Sequence, residues 1–425
     1  MKRIYLDYAA TTPVDKEVLK AMMPYFSDKF GNASSVHSFG QEAIAAIDQA
    51  REKIAKLLNC DFNEIIFTGS ATEANNLAIF GITRNFQFPL LRQGFGGQAI
   101  SNFQTNPKSQ SLNSKLHIIS TVIEHESVLE PLKELERLDH EVTYLPVNKD
   151  GFIKVSYLEK AIRNNTVLVS IIYANNEIGI IQPVKEIGKL LEKINAKRKT
   201  AGLGRIYFHT DAVQAFQFLE CRPDWLKVDL MTFSGHKIYG PKGIGALFVR
   251  KLIPIGLIKP IISGGGQEFG LRSGTENVAN IVGMAKAVEL VFKNKEARFK
   301  KVLNLRNQLL DYIIKYNKGI GLNGSLDLST SLRTSNRLPN NLNIRFPGLN
   351  NETLLVALDQ KGVAVSAGSA CSARASKASY VLTALGLTEK QAKESIRITL
   401  GKDTTAEEIK KSAGIISILY KKLKS

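Results

Sequence analysis

Lys237 stands in a setting that packing alone does not explain. It lies in TFSGHKIYGPKGIGALFVR (residues 232–250), directly after a Ser-Gly-His turn and four residues before a proline, with glycines at 235, 240, 243 and 245. Apolar runs flank it, VDLMTF before and GALFV after. The lysine therefore falls at the mouth of two strands, in a loop too tight to let it wander. A cation at the end of a buried strand is costly, and lysines so placed suit Schiff-base chemistry with a carbonyl. Asp211 closes another apolar run, RIYFHTD, where a carboxylate suits a protonated pyridine nitrogen such as that of pyridoxal phosphate. The turn Gly69-Ser70-Ala71-Thr72 opens a helical pattern and offers N–H groups and hydroxyls to a phosphate. His125, just past IISTVIE, could lie flat on a ring. A lone strand-end aspartate is usually a cap and a lone histidine a core residue. The joint placement is what points to a site.

The elements that would position these residues lie between about residues 40 and 250. QEAIAAIDQAREKIAKLL sets Ile44, Ile47, Ile54 and Leu57 on one face at helical spacing. The runs EIIFTG, LHIISTVI, TVLVSIIYA, RIYFHTD, VDLMTFS and GALFVR alternate with such helical patterns. Several are almost continuously apolar, as strands covered on both faces should be. The alternation predicts an α/β fold with a parallel sheet. Ligands of such sheets bind at the carboxyl ends of the strands. Five strand ends deliver polar residues there: Ser70 to Glu73, Glu124-His125, Asn175-Asn176-Glu177, Asp211 with Gln214, and Ser234-Gly235-His236-Lys237.

Past GGGQEFGLRSGT (264–275) the pattern changes to a long helix and then short strands, NLNIRF, VAVSAG and SIRITLG, which predict a smaller α+β domain. The expected division is a large domain over 16–290 and a small one formed by 1–15 with 291–425. Residues 85–115, poor in apolar periodicity and rich in Gln, Asn, Ser and Gly, read as a surface insertion. GIGLNG (319–324) matches a dinucleotide-binding pattern, but it lacks the preceding strand and following helix and reads as a loop.

Composition narrows the class. Of 425 residues 44% are hydrophobic, enough for a large core, yet no run approaches the ~18 apolar residues of a membrane helix. MKRIYLDYAATTP reaches Asp7 too early for a secretory signal. Cys60, Cys221 and Cys371 are spaced too widely for a disulfide framework or a cysteine zinc site. A cytoplasmic protein with free thiols, no metal and no membrane partner is expected. The net charge of +18 comes from basic residues scattered over stretches such as 193–205 and 292–301. These read as solvated helix faces, and with no nucleic-acid-binding motif beside them no direct nucleic-acid partner is expected.

Seven stretches in order, YLDYAATTPVD, FTGSATEANNLAI, ANNEIG, HTDAVQ, SGHKIYGPKGIGAL, GGGQEFGLRSGT and SAGSACSA, closely resemble the pyridoxal-phosphate-dependent cysteine desulfurases of the class-V aminotransferase family. The resemblance runs from Tyr5 to about Leu400 and is interrupted mainly at 85–115. It implies the fold type I of pyridoxal-phosphate-dependent transferases, and it implies site roles. Lys237 matches the lysine that binds the cofactor covalently and then moves protons at the substrate Cα. Ala71, Thr72, Ser234 and His236 match phosphate-binding positions, and Thr275 matches a residue that reaches the phosphate of a second subunit, hence a homodimer. Asp211 matches the partner of the pyridine nitrogen, Gln214 that of the ring's phenolic oxygen, and His125 the stacking histidine. Asn176 matches a residue beside ring and substrate, and Arg397 the clamp for the substrate carboxylate.

Cys371 carries the distinctive chemistry. Its stretch AVSAGSACSARASKASYVL has little to pack in a core, which suits an exposed thiol that must move, whereas Cys60 and Cys221 read as inert. By resemblance, Cys371 takes sulfur from L-cysteine as a persulfide and releases L-alanine. The sulfur then passes to an acceptor protein, an iron–sulfur cluster scaffold or a carrier for tRNA thiolation. The nearest alternative is a selenocysteine lyase or another enzyme of the same fold; an aminotransferase would not need Cys371.

Overall fold

The computed structural model describes residues 3–87, 115–253, 256–325, 336–368 and 378–424. Cys371 and nearly all of the 85–115 segment lie outside the described residues.

A seven-stranded sheet forms the centre, in the spatial order Ile65–Thr68, Gly245–Val249, Leu230–Ser234, Tyr207–Asp211, Thr166–Ser170, His117–Thr121, Glu141–Leu145. Gly245–Val249 runs antiparallel to both its neighbours, and the remaining pairings are parallel. The sheet is thus mostly parallel, as the apolar runs imply. The strands Ile65–Thr68, His117–Thr121, Thr166–Ser170, Tyr207–Asp211 and Leu230–Ser234 are buried throughout, which explains their apolar sequences. The strand that periodicity does not reveal is the edge strand Glu141–Leu145, whose EVTYL is half-buried over four of five residues.

Because every strand but one runs the same way, their carboxyl ends share one edge. Asp211 lies opposite Thr232, and Ser234 opposite Gly245. Gly245 is required here: a Cβ would come within 2.6 Å of the Ala71 nitrogen, so only glycine lets this strand pass the start of the Ala71–Gln87 helix.

The Ser38–Leu58 helix buries Ala43, Ile47, Ala50, Ile54 and Leu58, while Ile44 and Leu57 are only half-buried. Small alanines set this stripe, because the helix packs closely on the 39-residue helix Val278–Tyr316. The expected boundary at residue 290 falls inside that long helix. A three-stranded antiparallel sheet follows, ordered Ser395–Thr399, Asn341–Arg345, Gly321–Leu322. Ile4–Tyr5 pairs in parallel with Val363–Ala364, and Asp7 bridges to Thr399, so the first residues join elements from the far end of the sequence. Residues 319–324 form a turn and the two-residue strand Gly321–Leu322, and residues 326–335 lie outside the described residues. Among the described residues no helix is long and apolar enough to cross a membrane.

Candidate active site

A cavity of about 420 Å³ opens at the carboxyl edge of the sheet. Lys237, His125, Ala71, Thr72, Asn176, Asp211, Gln214, Ser234, His236 and Arg397 all line it. Thr275 is exposed and does not line it.

Lys237 ends the short helical turn Gly235–Lys237 that follows the Leu230–Ser234 strand. Its Nζ donates to the carbonyls of Ala9 (2.5 Å) and Ala10 (2.8 Å), and its own carbonyl accepts from Gln217 Nε2 at 2.9 Å. The turn is stitched to the N-terminal segment. Thr12 Oγ1 donates to the His236 carbonyl at 2.9 Å and accepts from the Tyr239 N–H at 2.8 Å. Tyr239 holds φ of 65°, a left-handed conformation that costs energy outside glycine and is paid for by these bonds.

Asp211 is nearly buried at the end of its strand. It accepts from Asn75 Nδ2 (2.8 Å) and from the Val213 N–H (2.9 Å). Asn75 Nδ2 also donates to Ser127 Oγ at 2.8 Å, and Ser127 Oγ lies 2.8 Å from His125 Nδ1. One relay therefore links Asp211 to His125. His125 caps the Glu126–Arg137 helix, its Nδ1 accepting the Ser127 backbone N–H at 3.1 Å. An acceptor Nδ1 places the proton of the neutral ring on Nε2. Burial lowers the basicity of His125, Lys237 lowers it further, and Asp211 opposes them. His236 is held neutral as well, its pKa pushed down to about 4 by burial, then by Lys237 and Lys242.

Arg397 sits in the Ser395–Thr399 strand, 1% exposed. Nη1 donates to the Asn176 carbonyl at 3.1 Å and Nη2 to Asp7 Oδ1 at 2.8 Å, while its buried Nε has no partner among the described residues. A buried guanidinium with a spare donor on a cavity wall is made for an anionic ligand. The first turn of the Ala71–Gln87 helix supplies another anion site, since its leading N–H groups have no partner within the helix. The cavity size, the lysine, the aspartate and the helix N-terminus together fit pyridoxal phosphate.

Sequence reasoning missed the supports of this site. Asn75 could have been found, since it lies four residues after Ala71 and so on the same helix face. Ser127 and Asp7 gave no comparable signal, and the carbonyls of Ala9 and Ala10 gave none at all. Glu124 proves to be scaffold. It is fully buried, with Oε1 accepting from Thr121 Oγ1 (2.7 Å) and the Ile172 N–H (2.8 Å), and Oε2 without a partner among the described residues. Burial, reinforced by Asp211, pushes its pKa up to about 8 against those two bonds. Cys221 is buried and Cys60 half-buried. Burial first, and neighbouring acidic groups next around Cys60, push both thiols up to about 12, so neither is a ready nucleophile at neutral pH.

A profile of the aminotransferase class-V family matches residues 4–89 and 95–411, and the chain belongs to that family. Within it, the chain is 43% identical to cysteine desulfurase IscS of Dictyoglomus turgidum, covering 100% of this chain and 96% of that protein. It is 41% identical to cysteine desulfurase IscS of Clostridium botulinum strain Hall, covering 96% and 92%. Among solved structures, a NifS-like protein superposes with a TM-score of 0.83 at 35% identity over 99% of this chain and all of that one. SspA in complex with cysteine superposes at 0.73, with 36% identity over 93% and 98%.

Proposed function

We propose that the protein is a pyridoxal-phosphate-dependent cysteine desulfurase that converts L-cysteine to L-alanine and loads the sulfur onto Cys371. The observation that carries this reading is the opening of Lys237, Asp211 and Arg397 onto one cavity of about 420 Å³. The cofactor, when bound, supplies an electron sink for the bonds broken at the substrate.

Lys237 would hold the cofactor and, as the base of the site, would carry a proton to and from the substrate Cα. Asp211, fixed by Asn75 and the Val213 N–H, pairs with the pyridine nitrogen, and Gln214 with the phenolic oxygen. The neutral His125 packs on the ring. The Ala71–Thr72 turn, Ser234 and His236 hold the phosphate, and Thr275 of a second copy completes that site in a homodimer. Arg397 binds the substrate carboxylate, with Asn176 beside it. The Cys371 thiolate attacks the substrate sulfur. The S–S bond forms as the Cβ–S bond breaks, the electron pair stays on the three-carbon fragment, and that fragment is protonated and leaves as alanine. Cys371 keeps the sulfur as a persulfide, ready for an acceptor protein.

Two variants test the division of labour. Lys237→Ala is expected to lose the absorbance band of the covalently held cofactor together with alanine production. Cys371→Ala is expected to keep the band and respond spectrally to cysteine, yet release neither alanine nor sulfide at a useful rate. Undiminished desulfuration by Cys371→Ala refutes the thiol as acceptor. A monomer by light scattering that holds cofactor and turns over cysteine refutes the shared site.

A further inference from the structure

A second cavity, of about 820 Å³, lies apart from the first and shares no residue with it. Trp225 gives it an exposed aromatic face, with the buried rings of Tyr173 and Phe218 behind the wall, and Lys185, Arg222 and Lys295 bring cationic groups to it. Their charges are not balanced. Arg222 and Glu220 satisfy each other, through Nε at 3.0 Å and Nη2 at 2.8 Å. The remaining carboxylate, Glu186, is exposed. Lys295 forms no ion pair among the described residues. Its Nζ donates to the Leu219 carbonyl at 2.6 Å and lies 4.5 Å from the centre of the Phe292 ring, which leaves donor capacity on an ammonium that carries three hydrogens. Burial lowers its affinity for the proton. Lys185 likewise forms no ion pair there; its Nζ sits 3.9 Å over the Trp225 ring. Glu220 lines the same cavity and opposes the effect of burial on Lys295, but its carboxylate is already held by Arg222, so an anion that reached the spare donors of Lys295 would be favoured.

We infer that this cavity is a second ligand site, taking a small organic carboxylate whose anionic end binds Lys295 and whose apolar body packs against Trp225. The site has a direct route to the first. Phe218 follows Gln217, which holds the Lys237 carbonyl, and Phe216 stacks on Phe233 with ring centres 4.6 Å apart. One short stretch, 211–220, therefore carries Asp211 and Gln214 on one cavity and Phe218 to Glu220 on the other.

The chain supplies its own reporter, since Trp225 is its single tryptophan. Titrating the holoenzyme with octanoate, which does not absorb in the tryptophan band, should give a saturable change in Trp225 emission. Octanamide, of the same shape without the charge, should bind at least roughly tenfold more weakly. Lys295→Met should weaken octanoate by a similar factor and Lys295→Arg should retain it. The octanamide comparison needs no variant and stands even if Lys295→Met fails to fold. The inference is overturned by no saturation below about 10 mM, by equal response to octanamide, or by a folded Lys295→Met that binds octanoate as the parent does.

Discussion

The two cavities each take in a lysine, and they treat it in opposite ways. Lys237 meets two backbone carbonyls, and its cavity also receives Asp211, Arg397 and the start of a helix. Lys295 meets one carbonyl and no carboxylate within ion-pair distance among the described residues. The first cation belongs to a set of groups aimed at one ligand from several strand ends. The second stands on a wall built from the flanks of helices and turns. A sheet edge concentrates chemistry because parallel strands end together; a flank does so only where single substitutions place it.

The comparison breaks most sharply at the lysines themselves. Lys237→Ala should cut alanine formation by roughly 10⁴-fold or more, since covalent attachment and proton transfer vanish together. Lys295→Met should leave turnover of a well-folded enzyme close to the parent's. Steady-state alanine assays on both decide it, and a comparable collapse in the two variants would erase the distinction drawn between them.

Arg397→Lys comes next. It keeps the charge but loses the forked donor set, and should raise KM for cysteine by roughly 10–100-fold with a smaller change in kcat. An unchanged KM would show that the orphaned Nε does not face substrate.

Asn75→Ala sharpens the picture of the first cavity as a supported one. It removes the bonds to Asp211 and Ser127 and should lower kcat about tenfold while costing ~1–3 kcal/mol of stability. Restoration of kcat by Asn75→Asp would count against the donor role, because an ionised carboxylate has no proton to give Asp211.

The mildest effect on turnover concerns Glu124, which acts on stability alone. Its carboxyl is held up to about 8 in the fold against an ordinary 4.5. The stability contributed by its neutral form is complete below 4.5 and is lost as pH rises toward 8, at no more than ~1.4 kcal/mol per pH unit. Glu124→Gln should flatten this fall when thermal unfolding is followed from pH 5 to 9. His209, buried and pushed down to about 3, acts in the opposite sense: its contribution is present above 6.5 and fades as pH falls. A parent and Glu124→Gln with parallel pH profiles would mean that Glu124 is ionised in the native protein.

The sheet was legible because its strands are buried on both faces and so write continuous apolar runs; Glu141–Leu145, wet on one side at the edge, does not. The site was legible where a side chain follows the end of such a run, as with Asp211, His125 and Lys237. It was illegible where the support comes from peptide groups, as at Ala9 and Ala10, or from a residue recognisable only once the helix is placed against the sheet, as with Asn75. Helix periodicity by itself ranked Ile44 above Ala43, because it cannot know that a neighbouring helix demands small residues on the contact line. Lys295 reads in the sequence as one more basic residue of a charged stretch, and nothing short of the packed fold sets it apart.

The N-terminal segment has a consequence for the order of events during synthesis. Ile4 and Tyr5 need Val363 and Ala364, the Ala9 N–H needs Thr399 Oγ1 at 2.9 Å, and Asp7 needs Arg397; the same segment then supplies the carbonyls that hold Lys237. Residues 4–9 must therefore wait for residues 363–399 to be made, some tens of seconds at about 5–20 residues per second. Until then the nascent chain can assemble its central sheet but not a finished lysine pocket, so a ribosome-bound chain truncated before residue 397 should fail to retain cofactor as the released protein does.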